Sequence, residues 1–486
     1  MLPLLLPLVS GALLPLFRFR REGWRNAYVL FFTLLTSVLT LWLLLSGEAL
    51  SLSVAEIYPG LCLAFRLDDA SRLFAGLVAV LWPLCVLYGF AYMRHEERPN
   101  TFFAWYTMSY GVTLCCALSA NLFTLYIFYE CLSLVTLPLV SHKQDKASIR
   151  AGRLYIAYTI TGAALGFIAM AVAMQYGLTL DFTPGGVLTG EAAQASAELL
   201  RWVWLLAFLG FGVKAAVLPL SAWLPAASVA PTPVTALLHA VAVVNTGAFA
   251  VMRVTYGTWG TELLKGSVPQ GIALGLSCLT LLYASATAVR ENHLKRRLAW
   301  STVSNLSYML MGLCLMTADG VTGALAHLVF HGLMKITLFL CAGAILTQTG
   351  LNHVREMGGL HRVMPLTCAL FAIASVALVG TPPLVGFVSK WQLLTAAADL
   401  GGWMGLLAIA SVILSSVLTA IYLFSAVGVM CFRPAGPALG SEPLQRREAP
   451  WEMWLPLCLL TLSLLALGVW SSPLLNLMRA ASVSLF

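Results

Sequence analysis

Apolar residues fall along this chain in blocks, separated by short stretches where arginine, lysine, proline and glycine gather. The blocks lie at 2–17, 27–46, 71–93, 101–119, 121–141, 154–176, 201–226, 233–252, 268–289, 298–317, 320–348, 366–396, 404–432 and 453–476. About twenty apolar residues carry a helix through the hydrocarbon core of a bilayer. The pattern therefore predicts an all-α polytopic membrane protein of about 14 transmembrane helices. No small-residue cleavage pattern lies between block 2–17 and the arginines after it, so this block is expected to stay in place as the first helix.

Composition narrows the class. Of 486 residues, 60% are apolar or aromatic and 10% are charged, whereas a soluble domain carries about 25% charged residues. The eleven cysteines lie mostly inside apolar blocks and form no Cys-x-x-Cys pair. They read as small hydrophobes, not as a disulfide framework or a metal site. Neither a GxxxxGK string followed by Ser or Thr nor a GxGxxG string occurs, so no nucleotide cradle is written here and no cofactor is expected.

The formal charge of +8 suits the cytoplasmic loops of a membrane protein better than it suits nucleic acid. Loops after odd-numbered helices must share one side of the membrane. They hold 19 basic residues, among them Arg18, Arg20, Arg21 and Arg25, then Arg290, Lys295, Arg296 and Arg297, and finally Arg433, Arg446 and Arg447. The opposite side holds six: Arg66, Arg72, Arg201, Arg253, Lys265 and Arg479. That asymmetry places the basic loops in the cytoplasm and both termini outside it, in a multi-pass protein of the cell inner (cytoplasmic) membrane. Two outer segments, 47–70 and 177–200, carry Glu48, Glu56, Asp68, Asp69, Asp181, Glu191 and Glu198, and are expected to be solvated caps. Residues 432–450, rich in Pro and Gly, read as a cytoplasmic linker before the last helix.

Four ionisable residues, Glu130, Lys214, Lys335 and Lys390, fall well inside predicted crossings. Each charge costs on the order of 3 kcal/mol there, so four unpaired charges would cost roughly 12 kcal/mol. Three histidines, His239, His327 and His331, are also inside crossings, and an unperturbed imidazole exchanges protons near neutral pH. His327, His331 and Lys335 are spaced i, i+4, i+8, which lines them along one helix face about 6 Å apart as a candidate proton wire. Any one of these residues alone could be an interhelical strut. Three lysines against one acid, however, would leave two uncompensated charges in low dielectric if all were ionised. Helix breaks fall beside two of the lysines. Pro219 and Pro225 follow Lys214, and Thr381, Pro382 and Pro383 precede Lys390. Proline frees backbone carbonyls, which is tolerated at membrane depth where the site is packed in protein or faces water.

The strings 121-NLFTLYIFYECLSLVTLPLV-140, 211-FGVKAAVLPLSAWLPAASVAPTPVTALLHA-240, 294-LKRRLAWSTVSNLSYMLMG-312, 326-AHLVFHGLMKITLFLCAGAI-345 and 380-GTPPLVGFVSKW-391 resemble the antiporter-like subunits shared by respiratory complex I, Mrp-type cation/proton antiporters and energy-converting membrane hydrogenases. The resemblance implies three N-terminal helices within residues 1–100, two inverted five-helix repeats at 101–255 and 268–432, and a linker with a last helix at 433–486. It implies broken helices 7 and 12, and proton translocation through Glu130, Lys214, His239, His327, His331, Lys335 and Lys390. Some members carry a lysine on the eighth helix where this chain aligns Asn245. Lysine in place of glutamate at position 390 tilts the likeness toward the Mrp-type D subunit and the hydrogenase members.

The function so implied is a proton- or cation/proton-translocating subunit of a larger respiratory, hydrogenase or Mrp-type complex. It has no catalytic redox centre of its own, its ions are H⁺ alone or H⁺ with Na⁺, and its partners are other membrane subunits and the lipid bilayer. Two rivals stand beside it. A stand-alone secondary solute transporter would use the buried charges as a substrate cage. A quinone-reducing or metal-redox enzyme would need clustered Cys and His ligands, which the sequence lacks.

Overall fold

A computed structural model describes residues 1–17, 19, 21–46, 50–436, 439 and 445–486. Arg18, Arg20, Glu48 and the middle of the 432–450 linker lie outside the described residues. The protein is mainly helical and polytopic. Among the described residues nine helices are long and apolar enough to cross a membrane, and Leu2–Leu16 and Pro365–Val379 are shorter apolar helices. Every one of the fourteen apolar blocks is occupied by helix. Two of the longest spans form the centre: Thr232–Trp259 and Ala318–Thr349 have fully buried cores, whereas Glu22–Leu45 and Lys146–Tyr176 are only 28% and 33% buried and present their other faces outward.

Four blocks are interrupted. Block 201–226 is Ala197–Gly212 followed by turns and then Trp223–Ala227. Block 366–396 is Pro365–Val379 and Val385–Leu400, joined across Gly380 at φ +94° and the Thr381-Pro382-Pro383 run. Proline lacks the amide that would continue the ladder, and glycine takes the left-handed turn without a Cβ penalty. The third interruption, at Val241 and Ala242 between Thr232–Ala240 and Val243–Met252, has no proline or glycine to announce it. The block 453–476 also divides: its helix ends at Val469, and a separate amphipathic helix, Ser472–Val483, packs Met478, Ala481 and Ser482 inward.

The all-α expectation needs one correction. Ser51–Tyr58 and Leu61–Arg66 pair as an antiparallel hairpin. Pro59 and Gly60 make its turn, with Gly60 at φ +83°, the combination a type II turn requires. The hairpin leans on the start of helix Leu122–Val140, where Asn121 Nδ2 donates to the Cys62 carbonyl at 2.8 Å and the Ala120 amide to the Ala64 carbonyl at 3.0 Å.

Nor is segment 177–200 a purely solvated cap, since Leu180, Phe182, Val187 and Leu188 are buried. Arg253 and Lys295, both assigned to loops by their sequence position, are buried as well. Arg253 lies in the π-helical end Arg253–Trp259 and reaches Asp68 Oδ1 at 2.5 Å and Ser71 Oγ at 2.8 Å. Lys295 is in the first turn of Leu294–Cys314 and donates to the Ala230 carbonyl at 2.7 Å. Both cations thus meet an acid, a hydroxyl or a carbonyl in place of water, although Arg253 Nε is left without a partner.

Candidate functional site

Lys214 sits immediately beyond the last turn of Ala197–Gly212, where the broken helix leaves it fully buried. Glycines bring the neighbouring backbones close to it. A Cβ on Gly162 would lie 2.3 Å from Val213 Cγ1, and one on Gly247 would lie 2.5 Å from the Ala215 amide nitrogen. Small residues at helix crossings permit this approach.

Lys214 forms no salt bridge with Glu130, the one acid predicted within a crossing, among the described residues. The Lys214 ammonium donates instead to the Tyr129 carbonyl, and it lies 3.4 Å from the centroid of the Tyr129 ring. A helical carbonyl keeps a second lone pair for such a donor, and the ring face adds cation–π attraction. Tyr129 is itself fixed, its hydroxyl donating to the Phe211 carbonyl at 2.5 Å. The Oε1 of Glu130, the next residue, is buried without a hydrogen-bond partner.

The second cluster surrounds helix Ala318–Thr349. Lys335 Nζ donates to Ser301 Oγ at 2.6 Å and to the Leu298 carbonyl at 3.1 Å. His327 lies 3.0 Å from Ser389 Oγ through Nδ1 and 3.2 Å from Asn305 Oδ1 through Nε2. Asn305 in turn donates to the Ser301 carbonyl at 2.7 Å. Lys390 Nζ donates to the carbonyls of Leu378 and Val379 at 3.1 and 2.8 Å. These are the groups that the break at 380–384 sets free.

The histidine file is less continuous than its spacing suggests. The rings of His327 and His331 are 6.2 Å apart, and neither nitrogen of His331 has a hydrogen-bond partner. His239 likewise has no partner on either nitrogen and rests 4.9 Å from the Phe339 ring. Asn245 donates to the Leu328 carbonyl at 3.2 Å, tying the helix that follows His239 to the one carrying His327 and His331. Pro219, Pro382 and Pro383 all lie in the breaks and not within helices, whereas Pro225 lies inside the short helix Trp223–Ala227.

Sequence reasoning missed Ser301, Asn305, Tyr308, Ser389 and Tyr422. A signal was available for three of them, because Ser301, Asn305 and Tyr308 recur at i, i+4, i+7 within a predicted crossing, one face of a helix. Ser389 and Tyr422 become meaningful only once three helices are packed. Among the described residues no group of His, Cys, Asp and Glu could hold a metal.

The bundle thus buries two lysines beside helix breaks, Lys214 and Lys390, and a third, Lys335, in mid-helix. Residues 119–419 match the family model described as NADH:quinone oxidoreductase/Mrp antiporter, transmembrane. NADH-quinone oxidoreductase subunit N of Desulforudis audaxviator (strain MP104C) is 30% identical over 419 residues, 83% of this chain and 80% of that protein. Hydrogenase-4 component B of Escherichia coli (strain K12) is 36% identical over 346 residues, 68% of this chain but only 50% of that protein. The structure of the membrane-bound sulfane sulfur reductase, an archaeal respiratory membrane complex, holds a chain that superposes with a TM-score of 0.88 at 23% identity, covering 100% of this chain and 97% of that one. The chain belongs to the NADH:quinone oxidoreductase/Mrp antiporter transmembrane family.

Proposed function

We propose that this chain translocates protons, alone or in exchange for Na⁺, across the cytoplasmic membrane as one subunit of a larger respiratory, hydrogenase or Mrp-type complex. In this reading it crosses the membrane fourteen times with both termini outside the cytoplasm. Residues 101–255 and 268–432 are the two inverted repeats, and each repeat contributes one interrupted helix with a lysine beside the break.

One observation carries the proposal. Three fully or nearly fully buried lysines, Lys214, Lys335 and Lys390, are held by carbonyls and a hydroxyl, and none forms a salt bridge among the described residues. A carboxylate partner would bind an ammonium with a strong charge-assisted hydrogen bond. Neutral partners hold it less firmly, so the proton can leave.

Glu130 supplies the control. Closing its gap to Lys214 from about 7 to 4 Å, at an effective dielectric near 20, adds roughly 2 kcal/mol of attraction. That is more than a tenfold change in how firmly the proton is held. The driver, a redox reaction in the same complex or an opposing ion gradient, needs only to move that acid. The proton then passes by His239 and Asn245 toward Lys335, with His327 and His331 on the same helix, and leaves at Lys390. A stand-alone solute transporter would place a substrate-sized cavity among these charges. The larger cavities described, of about 580, 670 and 610 Å³, are lined by none of the three lysines.

The test is ion pumping by the assembled complex in vesicles after Lys214→Met and Lys390→Met. Each is expected to abolish pumping, and unchanged pumping in both would remove the lysines from the mechanism.

A further inference from the structure

Between Lys335 and Lys390 the hydroxyl side chains of three helices fall into a row. On Gly402–Phe432, Ser411, Ser415, Thr419 and Tyr422 recur at helical spacing and are all buried, although this helix is only 39% buried in its span. Such a stripe commonly ties helices together, or bonds back to carbonyls one turn earlier. Thr419 does the latter, donating to the Ser415 carbonyl at 2.8 Å.

Ser301 and Tyr422 do something more. Ser301 Oγ is 2.6 Å from the Lys335 ammonium and 2.5 Å from the Tyr422 hydroxyl, which donates to Thr419 Oγ1 at 3.3 Å. One turn further along the same helix, Ser415 Oγ is 2.8 Å from Ser285 Oγ and 3.3 Å from Ser304 Oγ. The Tyr308 hydroxyl lies 3.4 Å from Ser416 Oγ and 3.4 Å from the Val412 carbonyl, to which it donates, and the Tyr308 ring lies 5.3 Å from Lys390 Nζ. The histidine file, by contrast, has its gap at His331.

We propose that protons pass from Lys335 to Lys390 along this hydroxyl row, through Ser301, Tyr422, Thr419, Ser415 and Tyr308. The inference rests on the translocation reading above and gives its second half a route. The Lys335 ammonium passes a proton to Ser301 Oγ while the Ser301 hydroxyl passes its own to the Tyr422 oxygen, and so along the row. Each hydroxyl gains one proton and gives one up. Lys335 ends as the amine, and Lys390, which began as the amine, ends as the ammonium. Three steps, Thr419 to Ser415, Ser415 to Tyr308 and Tyr308 to Lys390, have no direct hydrogen bond between side chains and take a bridging water each.

The test measures proton translocation per turnover of the assembled complex in vesicles. Tyr422→Phe removes one oxygen and keeps the ring, and is expected to slow translocation about tenfold or more, as loss of a positioned proton carrier does. Ser301→Ala is expected to do the same, and Ser301→Thr, which returns the hydroxyl, to recover translocation relative to it. If Tyr422→Phe lowers the amount of assembled complex, Thr419→Val takes its place. Wild-type rates in Ser301→Ala together with Tyr422→Phe or Thr419→Val overturn the row. In that event, lost translocation in Lys390→Met leaves the translocation reading standing without this route, whereas full translocation in Lys390→Met removes the reading itself.

Discussion

Lys214 and Lys335 are equally buried, yet the two halves of the molecule hold them by different chemistry. Lys214 is gripped by one residue, Tyr129, through its carbonyl and its ring, while Glu130 stands by without a partner for Oε1. Lys335 joins a network: Ser301 links it to Tyr422, and Asn305 links the Ser301 backbone to His327 and from there to Ser389. A ring and a carbonyl can hold a cation but cannot hand a proton on, whereas a hydroxyl both accepts and donates. In the proposed function the amino half is thus a gate worked by a movable charge, and the carboxyl half a conduit.

Substituting arginine for each lysine strains this contrast most. A guanidinium does not deprotonate, and it stacks well on aromatic faces. Lys214→Arg is therefore expected to assemble against Tyr129 but to pump about 100-fold more slowly, as loss of a proton carrier does. Lys335→Arg must force a larger head among Ser301, Leu298 and fully buried neighbours, so the complex itself should be depleted, since overpacking costs about 1–3 kcal/mol. Quantifying the tagged chain in membranes separates the two outcomes. Equal assembly of both variants would break the distinction between gate and conduit.

Tyr129→Leu removes the ring face from Lys214. With about 2 kcal/mol of desolvated cation–π attraction lost, pumping should fall roughly 30-fold while the amount of assembled complex stays the same. Normal pumping in this variant would mean that the ring is packing alone.

The smallest effect concerns the outer rim. Burial works to raise the Asp68 carboxyl, but Arg253 and the hydrogen bonds from Ser71 outweigh it and hold it down at about 2, against 3.8 ordinarily. A carboxyl depressed in the folded state contributes stability above its unfolded value and loses it as pH falls through the folded one. The contribution here is about 2 kcal/mol, lost between about pH 4 and pH 2. Asp68→Asn should lower thermal stability in detergent at neutral pH and flatten the acid-side decline over that window.

The positions of the helices and of the buried charges were legible because a bilayer enforces long apolar blocks, and any charge within one stands out. Glu130, Lys214, Lys335, Lys390 and the three intramembrane histidines could all be named from residue type and position. The breaks beside Lys214 and Lys390 were legible through Pro219, Pro382 and Pro383. The break at Val241 and Ala242 was not, because no residue there resists helix and tertiary packing alone interrupts the backbone. The hairpin at 51–66 was overlooked because attention to long apolar blocks passes over a short alternating run.

The sequence by itself determined the solvent of this protein, the number of apolar blocks and which ionisable groups lie at membrane depth. These follow from transfer free energies, which depend on residue type and run length. Tertiary structure alone decided which atoms those groups meet: that Lys214 rests on Tyr129 and not on Glu130, that Lys295 and Arg253 turn inward, and that Ser301 and Tyr422, 121 residues apart, share a hydrogen bond. A hydrogen bond forms only when donor and acceptor are brought to about 3 Å, and only the packing of three helices fixes that separation.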